Sequence, residues 1–449
     1  MKIVVVGSGK VGLALVKYLS EEGHDVTVID NDRQVVDNVV NNYDVLGICG
    51  NGAIFNIQKE AGVDKADLLV SATSSDELNI VCCMIGKKIG AKHTIARVRN
   101  PDYSGQLHFI QELGISMIVN PELEAANEIS RILRFPSAVK IDAFSKGRVE
   151  LAEFIIKEGN PLVDLPVSAI FDEYKREILV CSVERGDSVF IPGGDFIIKE
   201  GDKVSLTATR RELSLFLKQL GIYKNGIKKV LIIGGGKIGY YLASQLIDTG
   251  FRVTIIEIDH DRCIELSDAL PKAEIFCGDG TSKEVLAEHD LESMDAVVCL
   301  TSIDEENIIT SLYASSLNIG KTVTKINRVS SDMLSRIGVE SAISPKRVAA
   351  YRILNYIRAL QNSEGCSFQT LYELVEGKVE AVEFHIEDEA EYTGIPFRDL
   401  SLKKDLLICC LMRKNKIIFP RGSDMMMPGD NVIVVTGNRR IHSLNDILA

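Results

Sequence analysis

The sequence predicts an α/β protein built as a tandem duplication, each half a doubly wound parallel sheet followed by a small α+β module. Three observations carry that prediction. Short β-branched runs alternate with helical segments, and "VVVGSGKVG" at Val4–Gly12 returns as "LIIGGGKIG" at Leu231–Gly239. The later part of each half then changes from crossover spacing to hairpin signals.

In the first half the apolar runs are Lys2–Val6, Val26–Asp30, Val45–Cys49, Leu68–Ala72, Thr94–Val98 and Ser116–Asn120. Continuous apolar runs separated by helix-length stretches are the mark of buried parallel strands joined by crossover helices. The second half repeats them from Lys228 to about Ser344. The later parts, "VERGDSVFIPGGDFIIKEGDKVSLTA" and "MRKNKIIFPRGSDMMMPGDNVIVVTG", read as antiparallel strands punctuated by Gly, Pro and Asp.

The repeat is in register over most of each half. Gly7 pairs with Gly234 and Asp30 with Glu257 at an offset of 227, which one inserted residue then raises to 228. Cys49-Gly50-Asn51-Gly52 matches Cys277-Gly278-Asp279-Gly280, and Thr73–Asn79 matches Thr301–Asn307. The expected parts are residues 1–135 and 226–360 as nucleotide-binding units, with 136–223 and 364–449 as the small modules. Pro136, Lys224–Gly226 and Ser363–Gly365 are the expected boundaries.

Bulk properties remove several function classes. A net charge of −12 repels nucleic-acid phosphates and anionic lipid, so no nucleic-acid partner is expected. No stretch reaches the ~18–20 apolar residues needed to cross a bilayer. Met1-Lys2-Ile3 enters a strand pattern at once, which predicts no signal peptide and a cytoplasmic protein. The ten cysteines lack zinc spacing and read as buried reduced thiols.

Each Gly-x-Gly-x-x-Gly follows a strand, opens a helix pattern, and has an acidic residue at the end of the next strand, as in a Rossmann unit. Gly7 allows the tight turn, Gly9 leaves room for a pyrophosphate, and Gly12 lets helix and sheet approach. The helix start through Ser8, Lys10 and Val11 offers N–H groups to phosphates. Asp30 would accept from ribose hydroxyls and repel a 2′-phosphate, which favours NAD(H) over NADP(H). Gly234, Gly235, Gly236, Lys237, Ile238, Gly239 and Glu257 repeat the set. Thr73, Ser74, Thr301 and Ser302 follow the fourth strand of each unit, on the edge where a nucleotide lies. Ser74 with Glu77, and Ser302 with Glu305, also read as capping boxes. Arg97 and Lys325 end the fifth strands, where a surface cation and a phosphate partner are both consistent readings.

No catalytic or metal-binding residue emerges: none of the seven histidines recurs between halves. An NAD-dependent dehydrogenase of unknown substrate remains the competing expectation, and a scaffold with vestigial pockets a third.

The chain resembles the TrkA family, cytoplasmic regulatory subunits of Trk potassium uptake systems. The residues that carry the resemblance are Gly7–Gly12, Asp30, "ATSSDELN" at Ala72–Asn79, "ARVRNPDY" at Ala96–Tyr103 and "VNPELEAA" at Val119–Ala126. The resemblance implies RCK N-terminal and C-terminal domains in alternation. It implies NAD(H), and in many members ATP or ADP, bound at the glycine loops, Asp30, Thr73, Ser74 and Arg97 and their second-copy counterparts. It further implies a homo-oligomeric, tetrameric ring docked on an integral-membrane potassium transporter subunit, with regulation in place of turnover. Copy two departs from the pattern: Asn120-Pro121-Glu122 becomes Ser344-Pro345-Lys346, and Arg97 becomes Lys325. A cation held by Glu122, as in some relatives, could not be held the same way there, so the two sites are expected to differ. The segments Pro121–Arg134 and Pro345–Leu360 have helical length and suit either packing within a unit or pairing of units.

Overall fold

The computed structural model describes residues 1–101, 103, 112–134, 140–144, 148–186, 188–221, 227–328, 333–334, 337–339, 341–362, 368–374, 379–414, 416–437, 441 and 443–448. The expected boundaries at Pro136, Lys224–Gly226 and Ser363–Gly365 lie outside the described residues.

The first half opens with β1 (Lys2–Val6), α1 (Lys10–Glu21), β2 (Asp25–Asp30), α2 (Arg33–Asn42), β3 (Leu46–Cys49), α3 (Phe55–Glu60), β4 (Leu68–Ser71), α4 (Asp76–Ile89), β5 (His93–Arg97), β6 (Met117–Val119) and α5 (Pro121–Arg134). All six strands are parallel, in the order β3-β2-β1-β4-β5-β6. That is the doubly wound order, with its switch point between β1 and β4, where ligands lie at the carboxyl ends of the strands. The apolar runs decide the sheet: Val4, Val5, Val6, Val28 and Ile29 are all buried. Each such burial contributes about 1.5–3 kcal/mol, against ~1–2 kcal/mol per residue of backbone ordering.

The small module follows as β7 (Lys140–Phe144), β8 (Val149–Ile155), α6 (Val167–Tyr174), β9 (Ile178–Arg185), β10 (Ser188–Phe190), β11 (Lys203–Thr209) and α7 (Arg210–Gln219). Its five strands are antiparallel, as the hairpin signals predict.

The second half repeats both. Its parallel sheet is β12 (Lys229–Ile233), β13 (Arg252–Glu257), β14 (Glu274–Cys277), β15 (Ala296–Cys299), β16 (Lys321–Lys325) and β17 (Ala342–Ile343). The helices are α8 (Lys237–Asp248), α9 (His260–Ala269), α10 (Lys283–Glu288), α11 (Asp304–Ser316) and α12 (Pro345–Asn362). The strand order β14-β13-β12-β15-β16-β17 reproduces that of the first sheet. The second module is β18 (Phe368–Leu374), β19 (Val379–His385), β20 (Leu406–Arg413), β21 (Lys416–Ile418) and β22 (Asn431–Thr436).

Contacts divide the chain by part and not by half. Met1–Ser130 and Lys228–Leu354 form one compact unit; Arg131–Ile227 and Asn355–Ala449 form the other. Within the first, the two parallel-sheet units interlock through the helices whose partner the sequence left open. Tyr351 of α12 donates to the hydroxyl of Tyr18 on α1 (2.9 Å). The repeat-equivalent contact runs from Gln245 of α8 to Asn127 of α5 (2.8 Å). Helices α5 and α12 therefore pair the units.

Within the second, the two antiparallel modules share one apolar core: Val149, Leu151 and Cys181 of the first half pack with Ala381, Cys409 and Val435 of the second. Cys181 and Cys409 are equivalent positions of the repeat, and their sulfurs lie 3.2 Å apart.

Candidate nucleotide-binding site

Both glycine loops are shaped as the sequence requires. Gly7 and Gly234 have φ of +90° and +104°, and a Cβ on Gly7 would lie 2.9 Å from the Thr73 backbone. That is a conformation and a clearance only glycine tolerates at low cost. A Cβ on Gly12 would lie 1.9 Å from the Gly7 carbonyl oxygen, and one on Gly239 2.4 Å from that of Gly234. The third glycine thus seats the helix against the loop itself. Around Gly9 and Gly236 there is open space within 4 Å of a would-be Cβ. These glycines are the N-caps of α1 and α8, and neither cap is made by a side chain. The first N–H groups of each helix consequently face that space without intrahelical partners. Val11 and Ile238 are buried, so only their backbone can meet a ligand.

The acidic residues brace the loops. Ser8 N–H donates to Asp30 Oδ2 (2.6 Å), and Gly235 N–H donates to Glu257 Oε2 (2.6 Å). Each carboxylate also accepts from the backbone two residues on, Asp32 and Asp259. Such charge-assisted bonds fix the carboxylate at the strand end beside the loop, where a ribose hydroxyl would meet it.

Thr73 and Thr301 are held by a residue pair the sequence reading did not assign. Asn79 accepts from the Thr73 N–H (2.8 Å) and donates to the Arg97 carbonyl (2.8 Å). Asn307 does the same for Thr301 (2.8 Å) and Lys325 (3.1 Å). Both amides are completely buried, and each clips the ends of the fourth and fifth strands together. Asp76 and Asp304, also buried, accept from the loop after the fifth strand: Arg99 and Asn100 N–H in copy one, Asn327 and Arg328 N–H in copy two. Burial opposes the Asp304 charge, but these backbone donors outweigh it and hold its carboxyl below the ordinary range. The signal for all four residues was present in the repeat: the same Asp and Asn retained in register in the first turn of α4 and α11.

The capping boxes need correction. Helix α4 is capped by Ser75, one residue later than expected, through Leu78 N–H. Helix α11 has Ile303 at its cap and no side-chain cap at all. The asparagine clip already fixes the turn, so the cap is not needed to set it. Ser74 is left with its carbonyl accepting from Arg99, and Ser302 lines a cavity of about 120 Å³ together with Lys10, Asp304, Asn327 and Arg328.

Lys10 therefore projects from loop one toward cleft two. Reciprocally, Lys237 of loop two lies close enough to Glu77 to help hold its carboxyl below the ordinary range, after the hydrogen bonds from its own backbone, Ser75 and Tyr103. The clefts are also wired directly, since Tyr241 of α8 accepts from Asn120 (3.0 Å) and donates to the Arg99 carbonyl (3.2 Å).

Of the two readings of Arg97, an exposed surface cation is overturned. Its side chain is 16% exposed, it donates to the Thr73 carbonyl (3.2 Å), and it pairs with Glu122 (3.6 Å). Burial pulls its pKa down, Arg99 adds to this, and Glu122 opposes both. Lys325 is likewise tied, to the Leu300 carbonyl (3.2 Å), and its pKa is lowered by burial and then by Lys10. Lys346, in place of Glu122, is lowered first by burial, with Lys10 and Arg347 repelling it.

The residues fit a dinucleotide. The buried hydroxyl of Ser8 has no partner, the space over Gly9 is one a side chain would fill, and the donors around it suit an anion. Among the described residues, no group of three or more His, Cys, Asp or Glu is arranged to hold a metal ion. No helix among them is long and apolar enough to cross a membrane.

Fold and cleft geometry together define a tandem Rossmann-type protein with a glycine loop of the same shape in each half. The TrkA-N domain model matches residues 3–121 and 230–345, and the TrkA-C domain model matches 151–221. The Trk system potassium uptake protein TrkA homolog 2 of Methanosarcina mazei is 31% identical over 100% of both chains. Homolog 1 of the same organism is 33% identical over 97% of each chain, and Haemophilus influenzae TrkA is 28% identical over 98% of this chain and 96% of that one. The chain belongs to the TrkA family. These relatives are named for potassium uptake and not as enzymes. Among solved structures, the GsuK channel bound to NAD superposes with a TM-score of 0.64 at 17% identity, covering 97% of this chain and 76% of that one. The GsuK RCK domain gives 0.63 over 97% and 92%. These similarities confirm the tandem RCK architecture.

Proposed function

We propose that this chain is a nucleotide-sensing regulatory subunit of a Trk-type potassium transporter. In this reading it binds NAD(H), with ADP or ATP as further ligands, and biases a pore formed by a separate membrane polypeptide. It would sit on the cytoplasmic face as a homo-oligomeric ring. The parts 1–135 and 226–360 are the sensing domains and 136–223 and 364–449 the C-terminal ones. The contacts are Gly7–Gly12, Asp30, Thr73, Ser74 and Arg97 in copy one, and Gly234–Gly239, Glu257, Thr301, Ser302 and Lys325 in copy two.

The observation that carries the reading is a pair of preset clefts joined to each other. Lys10 of loop one lines the second cleft, and Tyr241 of the second unit bonds the backbone of the first. A ligand shifts a conformational equilibrium only by its differential affinity. Two clefts that share side chains give occupancy a direct route to the relative placement of the Rossmann units. About 1–3 kcal/mol of coupling suffices for allosteric control. Calorimetric titration of the whole protein with NADH, NAD, ADP and ATP tests the binding, and nucleotide-dependent potassium flux in vesicles holding the transporter tests the regulation. Absence of saturable binding by any of the four ligands would refute the sensing role.

A further inference from the structure

Two of the described cysteines are exposed, Cys49 and Cys277, contrary to the expectation that all are buried. They are repeat equivalents at the ends of β3 and β14, but only one has a companion. Cys263 on α9 places its sulfur 3.3 Å from the Glu257 carbonyl, and the Cys277 thiol points at the adjoining Ile258 carbonyl at 4.0 Å. Strand β14 pairs Cys277 directly with Glu257. Both thiols therefore bear on a single two-residue segment, the one that presents the ribose-side carboxylate of cleft two. In copy one Cys49 keeps the matching contact to the Asn31 carbonyl, but the position of Cys263 is Val36.

We propose that Cys263 and Cys277 form a reactive dithiol that hydroperoxides oxidise to a disulfide, and that this modification weakens nucleotide binding at copy two alone. The exposed Cys277 reacts first, taking the distal oxygen of the peroxide as a sulfenic acid while the remainder leaves as an alcohol, or as water from hydrogen peroxide. The Cys263 sulfur then attacks the sulfenic sulfur. The S–S bond forms, and the hydroxyl departs as water with the Cys263 proton. Two thiols lose two electrons and two protons in all, and the peroxide takes up both.

Burial pushes the Cys263 thiol up to about 11, and its contact with Cys277 adds to the rise. It consequently waits as the protonated resolving partner. Closing the sulfurs to a bond of ~2.05 Å draws α9 toward β14, and the Glu257–Ile258 segment lies against both. The Glu257 carboxylate and its 2.6 Å bond to Gly235 are what would be displaced.

The effect on binding rests on copy two being a nucleotide site; the disulfide does not. The test treats the full-length protein with hydrogen peroxide and maps peptides without reduction. The expected product is a Cys263–Cys277 linked peptide, reversed by dithiothreitol and absent from Cys263→Val, where Cys277 proceeds to sulfinic acid. Calorimetry with NADH on the Asp30→Ala protein, which leaves copy two as the reporter, should show roughly tenfold weaker binding after oxidation. Over-oxidised Cys277 beside an intact Cys263 thiol in the wild-type protein overturns the dithiol. A disulfide with unchanged NADH affinity overturns its control of the cleft. A reduced Asp30→Ala protein that binds no NADH refutes copy two as a nucleotide site, while the linked peptide still decides the dithiol.

Discussion

The two Rossmann units share a strand order and a loop geometry, yet their clefts carry different chemistry. Copy one has Ser8, Asp30 and an Arg97–Glu122 pair; copy two has Gly235, Glu257, Lys325 and Lys346. Copy two also lays Arg262 across its loop, donating to the Gly235 carbonyl (2.9 Å), where copy one has Val35. Copy one pairs Arg97 with Glu122, whereas copy two sets Lys325 and Lys346 near Lys10 of the other half, with Asp304 opposing their repulsion. The duplication has preserved the scaffold and changed the charges set around the cleft.

The strongest way to break this comparison is to remove the scaffold itself. Gly12→Ala forces a Cβ onto the Gly7 carbonyl, and should destabilise the protein by roughly 3 kcal/mol and abolish NADH binding at copy one. The roomier Gly239→Ala should cost roughly 2 kcal/mol. Denaturant midpoints of the two variants give the ranking, and equal losses would count against it.

Next come the bracing carboxylates. Asp30→Ala and Glu257→Ala each remove a charge-assisted bond worth roughly 1.5–3 kcal/mol. Each should weaken calorimetric NADH binding ten- to hundredfold at its own cleft, by the usual conversion of about 1.4 kcal/mol per decade.

Exchanging the charge that differs should move one cleft toward the other. Glu122→Lys should raise copy-one affinity for ATP by roughly tenfold and steepen its salt dependence, and Lys346→Glu should do the reverse at copy two. ATP isotherms across a salt series would sharpen the comparison, and a Glu122→Lys protein with unaltered ATP binding would erase it.

The smallest effect is proton linkage. Folding lowers the pKa of Lys325 and Lys346, so both shed protons at a lower pH than an exposed lysine does. A bound phosphate restores their charge. Copy two should therefore take up protons on binding ATP as the pH rises toward the ordinary lysine value near ~10.4, and copy one should do so less, because an arginine stays charged. Titrations in buffers of different ionisation enthalpy measure the difference.

Most of the fold could be read directly because buried parallel strands are apolar along their whole length. The predicted runs Lys2–Val6 and Leu68–Ala72 meet β1 (Lys2–Val6) and β4 (Leu68–Ser71) within a residue. The glycine loops were equally legible, since their roles follow from clearance that only glycine provides. The asparagine clips and the buried Asp76 and Asp304 were legible only as polar positions kept by the repeat, without their partners. They act on backbone some twenty residues away, and nothing in local periodicity points that far. The approach of Lys10 to the second cleft and the meeting of Cys263 with Cys277 depend on tertiary placement, which spacing alone does not encode. The capping boxes failed for a related reason, because a buried amide performs the task expected of a serine.

The core shared around Cys181 and Cys409 bears on why the halves are one polypeptide. A half-length protein would leave that apolar surface bare and would have to recruit an identical twin to cover it. Fusion replaces that encounter with a tethered one, at an effective concentration of order millimolar for a short connection, so the pairing survives dilution. It also frees each half from mirroring the other. In a homodimer any substitution is imposed twice, whereas a fused gene can alter one pocket and keep its sibling, which is the latitude that Lys346 and Cys263 exploit.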